Sequence, residues 1–343
     1  MAPPTLPTHQ LGKDGPQVTA IGYGMMGLSA NYGAPLPDDQ RFALLDKIYE
    51  AGELFWDSSD SYGDSEVLIG RWFAQHPERR KDIFLCTKFG QRFQPDGSRA
   101  VDSSPAWVRQ ACENSLKKMG VDTIDLWYSH RQDKKTPIEQ TVRAMDEMRK
   151  EGKVRYLGLS ECSANSLRRA CKAAKISAVQ LEYSPFSLEI ESEQIDLLRT
   201  ARELGVAVVA YSPVGRGMLT GTITSPDQFE PGDFRARIPR FSKENFHKNI
   251  ELVDNMKKIA QKKGCTPAQL ALAWVLAQGK DVIPIPGTTK FERFEENMGA
   301  LKVKLTPEEV KEIRDMAKAC EPEGDRYPDF MMGHLFADTP EEA

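Results

Sequence analysis

The chain has too few basic residues to carry the footprint of a nucleic-acid-binding protein. Lys and Arg number 46 against 50 Asp and Glu, so the formal net charge is −4 at pH 7. Binding to nucleic acid needs basic side chains clustered on one face. The basic pairs at 79–80, 168–169 and 262–263 are scattered along the chain, and we interpret them as solvated helix faces.

Membrane-spanning runs, a secretory signal and paired cysteines are also missing. The strongest apolar run, VAVVAY at 206–211, is far too short to span a bilayer. The opening MAPPTLPTHQLG lacks the basic-then-apolar order of a secretory signal. The six cysteines show no CxxC spacing, and we expect free thiols in a reducing compartment. These absences predict a cytoplasmic protein with neither a nucleic-acid nor a membrane partner.

Eight short apolar runs recur along the chain, separated by longer segments with helical periodicity. Their interiors are almost continuously apolar, which is typical of parallel strands covered on both faces. We predict strands at residues 18–24, 53–57, 83–88, 124–129, 154–160, 178–184, 206–212 and 282–286.

The segments between these strands carry the start and stop signals of helices. Residues 104–120 begin with Ser-Pro and end in Gly, and residues 136–152 begin with Thr-Pro and end in Gly. Further helices are predicted at 38–52, 65–75, 163–174, 191–205, 244–263, 267–278 and 305–320. Strands and helices in this alternation predict an α/β protein, a (β/α)8 TIM barrel, with residues 1–343 as a single domain.

Two segments depart from this alternation. Residues 213–242 are rich in Gly, Pro and charge, and a loop of this length in a compact domain is usually a lid or a binding loop. We therefore expect an active-site loop at 213–242, after the seventh strand. Residues 321–343 carry no clear periodicity and are predicted to form an irregular C-terminal tail.

The stretch GYGMMG at 22–27 matches the G-x-G-x-x-G signature of Rossmann domains. In those domains the signature opens a helix directly after its strand. Here the next residues, LSANYGAPLPDD, contain a Gly and two prolines and are unsuited to a first helical turn. We interpret the stretch instead as a loop at the mouth of the first barrel strand, where a ligand can approach the backbone of Gly24 and Met25.

Functional side chains stand at the ends of three successive predicted strands. Asp57 ends the second strand, and Tyr62 lies in the loop that follows it. Lys88 ends the third strand, and His130 follows the fourth. Taken singly, each has an ordinary interpretation as a turn cap, a solvated strand end or a packed side chain. Because a (β/α)8 barrel carries its chemistry where its strands end, the joint placement favours an active site.

These residues resemble the catalytic tetrad of the aldo-keto reductases. Asp57, Tyr62, Lys88 and His130 match that tetrad in order and in strand context. The chain also resembles family motifs, over residues 11 to 310, in the stretches WDSSDSYGDSE, TKFG, DLWYSHRQD, GLSE, QLEYSP, AYSPVGRGMLTG and PIPGTTKFERFEEN. The AYSPVGRG loop is similar to that of perakine-reductase-like and pyridoxal-reductase-like members. The resemblance implies a barrel with an N-terminal β-hairpin and extra helices, and an NADPH-dependent carbonyl reductase.

The residue types suit that chemistry. A carbonyl that accepts a hydride develops negative charge on oxygen and needs a proton. A phenol has a pKa of about 10, and a nearby ammonium lowers it by stabilising the phenolate. We therefore predict that Tyr62 donates the proton, that Lys88 tunes it, and that Asp57 holds Lys88. We predict that His130 orients the carbonyl through a hydrogen bond.

The resemblance also implies that NADPH lies extended across the barrel mouth without a Rossmann fold. Ser160 and Gln180 match positions that hydrogen-bond the nicotinamide carboxamide, and Tyr211 matches the residue that stacks on the nicotinamide ring. Further cofactor contacts are implied at Gly24, Met25, Asp57, Ser212, Gly215 and Arg216.

The segment GTTKFERFEEN at 287–297 resembles the part of the family that binds adenosine. Lys290 and Arg293 can neutralise the 2′-phosphate that distinguishes NADPH from NADH, and Asn297 can hydrogen-bond the adenine. The same charges also fit an exposed helix start. The chain departs from family patterns at Glu161, where many members have Asn, and at Gly287, where some have Lys.

The carbonyl substrate is less specified by the sequence. We predict an aromatic pocket walled by Trp56, Phe89 and Trp127, together with Tyr62, residues 216–240 of the long loop and the tail. Pyridoxal, an alkaloid or polyketide carbonyl, and assorted aldehydes all fit such a pocket. No metal site is predicted, and no pattern indicates an oligomeric state.

Two other functions fit parts of the pattern. Some members of the superfamily are cytoplasmic β-subunits of potassium channels, in which the barrel binds NADPH as a sensing module. The intact tetrad favours an enzyme over that function. A TIM-barrel aldolase or isomerase with Lys88 as a Schiff base is the second alternative, and the segments similar to nicotinamide-cofactor sites argue against it.

Overall fold

The computed structural model of the protein describes residues 3–93 and 99–342. Its main sheet has eight parallel strands in the order β3-β4-β5-β8-β9-β10-β11-β12. In the described residues the strands are β1 Thr8–Gln10, β2 Gln17–Thr19, β3 Tyr23–Gly24, β4 Phe55–Asp57, β5 Phe84–Phe89, β6 Gln91–Phe93, β7 Arg99–Val101, β8 Ile124–Ser129, β9 Val154–Ser160, β10 Ile176–Glu182, β11 Ala207–Tyr211 and β12 Val282–Pro284.

The helices that cover this sheet follow the predicted start and stop signals. The Ser104 hydroxyl accepts a hydrogen bond from the Trp107 amide, and Gly120 closes the same helix in the left-handed region at φ 61°. The described helices are α1 Met26–Ser29, α2 Asp38–Glu50, α3 Ser65–Gln75, α4 Pro105–Met119, α5 Ile138–Lys150, α6 Ala164–Ala173, α7 Leu197–Leu204, α8 Lys243–Lys263, α9 Pro267–Leu276, α10 Phe291–Gly299, α11 Pro307–Ala319 and α12 Asp329–Met332.

The sheet closes into a barrel between its first and last strands. Gly24 forms a parallel bridge with Gly287, and the Gly22 amide donates to the Pro284 carbonyl at 2.9 Å. A Cβ on Gly24 would lie 2.8 Å from the Ile285 carbonyl oxygen, so this glycine is required for strand contact. The predicted (β/α)8 barrel with its N-terminal hairpin, β1 with β2, is confirmed.

Side chains alternate between the barrel interior and the layer under the helices. Phe55, Cys86 and Leu126 pack in the interior cluster, whereas Leu85 and Trp127 pack in the outer one. This alternation follows from the period of two in a β-strand. It decides which residues near each strand end face the barrel mouth.

Several predicted boundaries are wrong. Residues 18–24 do not form one strand, because the chain changes partners within the segment: the Ala20 amide bonds to Pro7 and the Gly22 amide to Pro284. A single helical turn, α1, follows Gly24 and Met25 where a loop was predicted. The helix predicted at 191–205 begins only at Leu197, after Asp196 in the left-handed region at φ 51°.

The long segment at 213–242 contains short 3-10 turns at Pro226–Gln228, Phe234–Arg237 and Pro239–Phe241, and a turn at Gly215–Thr220 that is interrupted by a kink at Arg216 and Gly217. The tail contains α12, and the antiparallel pairing of β6 with β7 was not predicted. In the described part of the chain, no helix combines the length and apolar character that crossing a membrane requires.

Candidate active site

Lys88 is the centre of the polar cluster at the barrel mouth. Its Nζ donates to Asp57 Oδ1 at 2.5 Å, to the Ser58 carbonyl at 2.7 Å and to the Tyr62 hydroxyl at 3.2 Å. The Lys88 side chain is fully buried. All three donor positions of the ammonium are therefore occupied, and its orientation is fixed.

The strand register brings these groups together. Asp57 pairs with Cys86 across β4 and β5, and Cys86 lies in the barrel interior. Lys88, two residues further along β5, points to the same side. Tyr62 is in the loop between β4 and α3, where its amide donates to the Ser59 carbonyl at 3.2 Å and turns the ring toward Lys88.

Burial and the charge of the partner shift the pKa values of both Asp57 and Lys88 in opposite directions. Burial raises the pKa of Asp57, and the Lys88 ammonium pulls it back. Burial alone would lower the pKa of Lys88, but Asp57 and Tyr62 carry it above its ordinary value. Lys88 is therefore a permanent ammonium at neutral pH.

Tyr62 is protonated in the resting protein. Burial raises the pKa of its phenol, and the opposing pull of Lys88 is smaller than the effect of burial. The predicted influence of Lys88 on the Tyr62 pKa is thus present, although it does not bring the pKa below that of a free phenol. Tyr62 holds a proton, and Lys88 stands beside the oxygen that would carry the charge after its release.

His130 lies edge-on to Tyr62, with ring centroids 5.7 Å apart. Burial, with the charges of Arg131 and Lys88, holds the pKa of His130 well below its ordinary value, so the imidazole is neutral. Its Nδ1 lies 3.1 Å from Ser59 Oγ. A hydroxyl that donates to Nδ1 leaves the proton on Nε2, where it can be donated to a ligand. Ser59 was not among the predicted site residues.

The residues predicted to hold nicotinamide lie next to this cluster. Gln180 Nε2 donates to Asp57 Oδ2 at 2.8 Å, and Arg131 Nη1 donates to Ser160 Oγ at 3.2 Å. Tyr211 ends β11, the strand next to β10. Asp57, Ser160, Gln180 and Tyr211 all lie at or near the carboxyl ends of parallel strands, and so at the same end of the barrel.

The start of the long loop has an unusual backbone. Ser212 and Arg216 are in the left-handed region at φ 51° and φ 55°, beside Gly215 at φ 59°. Non-glycine residues in this region carry strain and cluster at functional sites. The Arg216 guanidinium is already paired with Glu182 at 3.2 Å and lies over the Tyr327 ring.

The segment predicted to bind adenosine lies at the same barrel edge. Because Gly24 bridges Gly287, the start of this segment lies beside the loop of Gly24 and Met25. Lys290 stands at the N-cap position of α10 without a side-chain capping hydrogen bond, and Arg293 is exposed in the first turn of this helix. Asn297 is buried further along the same helix. Arg293 and Asn297 therefore lie on one short helix that Lys290 immediately precedes, and both cations are open to solvent.

Comparisons with known proteins identify the family of the chain. The model of the Aldo/keto reductase family matches residues 20–318. Aldo-keto reductase str7 from Strobilurus tenacellus is 53% identical over 341 residues, which cover 98% of both chains. The chain belongs to the aldo/keto reductase family.

Other similar proteins extend the comparison. Aldo-keto reductase yakc from Schizosaccharomyces pombe, whose name specifies NADP(+), is 50% identical over 339 residues, 98% of both chains. The glycerol dehydrogenase AKR11B4 from Gluconobacter oxydans superposes with a TM-score of 0.81 at 28% identity, over 93% of this chain and 97% of that one. The holo form of AKR11C1 from Bacillus halodurans gives 0.74 at 25% identity, over 93% and 99%. This aldo/keto reductase is accordingly an oxidoreductase.

The aromatic pocket of this aldo/keto reductase is not where the sequence placed it. Trp56, Phe89 and Trp127 are fully buried in the layer between strands and helices. Trp56 packs on Trp72 with centroids 4.9 Å apart, and Phe89 stacks on Trp127 at 4.3 Å. Side chains alternate along a strand, and each of these three aromatic residues lies next to an inward-facing residue. All three therefore face outward, and none of them lines the mouth.

The aromatic residues at the mouth come from loops and the tail instead. Tyr327 of the tail lies 3.2 Å, hydroxyl to hydroxyl, from Tyr211 and near the Phe234 ring. The Phe234 amide donates to the Asn31 carbonyl at 2.8 Å, and Arg235 lies over the Tyr32 ring. The sequence predicted the loop and the tail as walls, and it predicted Tyr211 as a cofactor contact, but it did not identify Tyr327, Phe234 or Tyr32.

Proposed function

We propose that this aldo/keto reductase reduces an aldehyde or ketone to an alcohol with NADPH, and that Tyr62 is the proton donor. The observation that carries the proposal is the buried ammonium of Lys88, which contacts both the Asp57 carboxylate and the Tyr62 hydroxyl. A surface tyrosine would have no such partner. This arrangement suits a phenol that releases its proton and regains it in every cycle.

The reaction balances with one hydride and one proton. When bound, NADPH supplies the hydride that adds to the carbonyl carbon. Tyr62 donates its proton to the carbonyl oxygen, which completes the alcohol, and Lys88 stabilises the phenolate that remains. Asp57 keeps the Lys88 side chain aligned, since it accepts a hydrogen bond at 2.5 Å. Solvent then returns the proton to Tyr62.

His130 stabilises the charge that develops on the carbonyl oxygen. Its low pKa keeps the ring neutral, so that it orients and polarises the substrate without competing with Tyr62 as an acid. A preorganised donor of this kind contributes about 3 kcal/mol to lowering an activation barrier.

The residues at the barrel mouth fit NADPH better than NADH. Lys290 and Arg293 present two solvent-exposed cations at the start of α10, where a 2′-phosphate is favoured by charge and by the helix dipole. Tyr211 provides a ring for stacking, and Ser160 and Gln180 provide polar groups for the carboxamide. The name of the Schizosaccharomyces pombe relative supports the same cofactor.

The two alternatives receive less support. A Schiff-base lysine has to expose an unprotonated amine, whereas Lys88 is fully buried and held as an ammonium by Asp57. A sensing module of the potassium-channel type does not require the neutral His130 or its contact with Ser59. These observations favour an enzyme.

Titration of the purified protein with NADPH and with NADH, followed by addition of 4-nitrobenzaldehyde, tests the proposal. We expect tighter binding of NADPH and its oxidation after the aldehyde is added. Tight binding without turnover on a panel of aldehydes and ketones would favour the sensing module. Failure to bind either cofactor would contradict the proposed function.

A further inference from the structure

Glu161 carries a buried negative charge at the barrel mouth. Its side chain is fully buried, and its backbone is in the left-handed region at φ 50°. Oε1 accepts a hydrogen bond from the Tyr211 hydroxyl at 2.9 Å. Glu161 directly follows Ser160, so this carboxylate connects Ser160 and Tyr211, two of the three residues predicted to contact nicotinamide.

The counter-ion of Glu161 comes from the C-terminal tail. Arg326 Nη2 donates to Glu161 Oε2 at 3.2 Å, and Nη1 donates to Glu182 Oε2 at 3.1 Å. The Arg326 side chain is only 4% exposed. Glu182 has a second partner in Arg216 at 3.2 Å, whereas in the described part of the chain Arg326 forms the ion pair of Glu161. Removal of Arg326 would therefore leave the Glu161 carboxylate buried without this counter-ion.

Tyr327, which follows Arg326 in the tail, makes a direct contact with Tyr211. The Tyr211 hydroxyl donates its proton to Glu161. Its oxygen accepts a hydrogen bond from the Tyr327 hydroxyl at 3.2 Å. Tyr327 in turn lies under the Arg216 guanidinium, 4.5 Å from ring centroid to carbon. Tyr211 is thus fixed by one partner from β9's end and one from the tail.

The tail has separate anchors on both sides of Arg326. On one side, Asn249 exchanges hydrogen bonds with the Glu323 backbone at 2.8 and 3.0 Å. On the other side, the Ser163 and Ser166 hydroxyls donate to Asp338 at 2.8 and 2.7 Å. A cleft of about 500 Å³ lies along the tail between these anchors. The tail is therefore held on both sides of Arg326, and loss of Arg326 should act locally.

We propose that Arg326 is a positioning residue for the nicotinamide end of the cofactor site, acting through Glu161 on Tyr211. This inference rests on the proposed function, because Tyr211 matters to catalysis only as a platform for nicotinamide. Many members of the family have Asn at the position of Glu161, and the contact with Arg326 explains why this chain has a carboxylate there. The chain carries the buried carboxylate together with the arginine that neutralises it.

A double-mutant cycle over Arg326→Met and Glu161→Gln tests the coupling. Arg326→Met should raise the dissociation constant of NADPH by about fivefold or more, in the range found for directly contacting charged pairs. Glu161→Gln, which keeps an acceptor for Tyr211 but removes the charge, should have a smaller effect. The double variant should regain most of the affinity lost in Arg326→Met. A double variant as weak as Arg326→Met, or a single variant that binds like the wild type, would overturn the proposal.

A matched control and a cofactor-free measurement separate this inference from the proposed function. Asp338→Asn loosens a tail anchor without touching Tyr211, and it should leave NADPH affinity within about twofold. Hydrogen exchange of the protein without cofactor should rise at 207–212 in Arg326→Met and return to normal in the double variant. If exchange at 207–212 does not change, the inference fails even where NADPH binds. If exchange follows the expected pattern but the wild type binds no NADPH, only the proposed function fails.

Discussion

The ammonium of Lys88 lies 3.2 Å from the hydroxyl of Tyr62, in a part of the barrel mouth where Lys88 is fully buried. The same nitrogen lies 2.5 Å from an Asp57 oxygen. The Lys88 ammonium therefore forms an ion pair with Asp57 and also contacts the phenol that is proposed to give up a proton. Variants that separate these two roles are the most informative ones.

Lys88→Met should damage both stability and activity, because it leaves the Asp57 carboxylate buried without a partner. Removing one member of a buried pair typically costs about 3–5 kcal/mol of unfolding free energy. The double variant Asp57→Asn with Lys88→Met should recover much of that loss and none of the activity. Denaturant unfolding and NADPH oxidation, measured on the same preparations, check both halves. Recovery of turnover in the double variant would contradict the role given to Lys88.

His130 should make the folded state sensitive to acid. The unfolded chain takes up a proton near pH 6.5, whereas burial keeps the folded His130 neutral to lower pH. Stability from this residue is therefore complete above about pH 6.5 and is lost as the pH falls below it. Between pH 7.5 and 5.5, His130→Asn should lose about 1.4 kcal/mol less unfolding free energy than the wild type. The exposed His247→Asn is the control, and equal losses in His130→Asn and the wild type would refute the assignment.

Ser59 should act through the tautomer of His130. Ser59→Ala removes the hydroxyl 3.1 Å from Nδ1 and allows the proton to move there from Nε2. We expect a fall in kcat of about tenfold, with NADPH affinity unchanged, since the donor to the carbonyl oxygen is lost in part. Ser59→Thr, which keeps the hydroxyl, should retain more activity than Ser59→Ala. Equal kcat values for Ser59→Ala and the wild type would argue that the contact is only structural.

The two cations on α10 should decide the choice between NADPH and NADH. Arg293→Ala should weaken NADPH binding by about tenfold or more and leave NADH binding almost unchanged, because only NADPH carries the 2′-phosphate. Lys290→Ala should act in the same direction. The exposed Lys302→Ala is the control for loss of a positive charge. A parallel loss of both cofactors in Arg293→Ala would show that the residue supports α10 and does not select the phosphate.

The corrected pocket predicts a contrast between two aromatic residues. Phe234→Ala, at the mouth, should change KM across a panel of aromatic aldehydes by several-fold. Trp127→Phe, in the layer under the helices, should lower the unfolding free energy by about 1–3 kcal/mol and leave the order of substrates unchanged. A changed order of substrates in Trp127→Phe would restore the original assignment of the pocket.

The barrel and the convergence of Asp57, Tyr62, Lys88 and His130 followed from the sequence because both depend on strand ends, which apolar runs mark well. The pocket assignment failed on side-chain direction. Asp57 faces inward, so Trp56 beside it faces the helices, and the same alternation turns Phe89 outward from Lys88. Arg326 and Glu161 are a different case. They are far apart in the chain, and Arg326 lies in a tail without periodicity, so only folding brings them together.

A single-turnover comparison of the wild type with Tyr62→Phe shows whether Tyr62 supplies the proton. Both proteins would be loaded with NADPH, mixed with 4-nitrobenzaldehyde and followed through the loss of nicotinamide absorbance. We expect similar NADPH affinity and a rate at least about 10²-fold lower in Tyr62→Phe. If the variant oxidised its bound NADPH at the wild-type rate, Tyr62 would not be the proton donor.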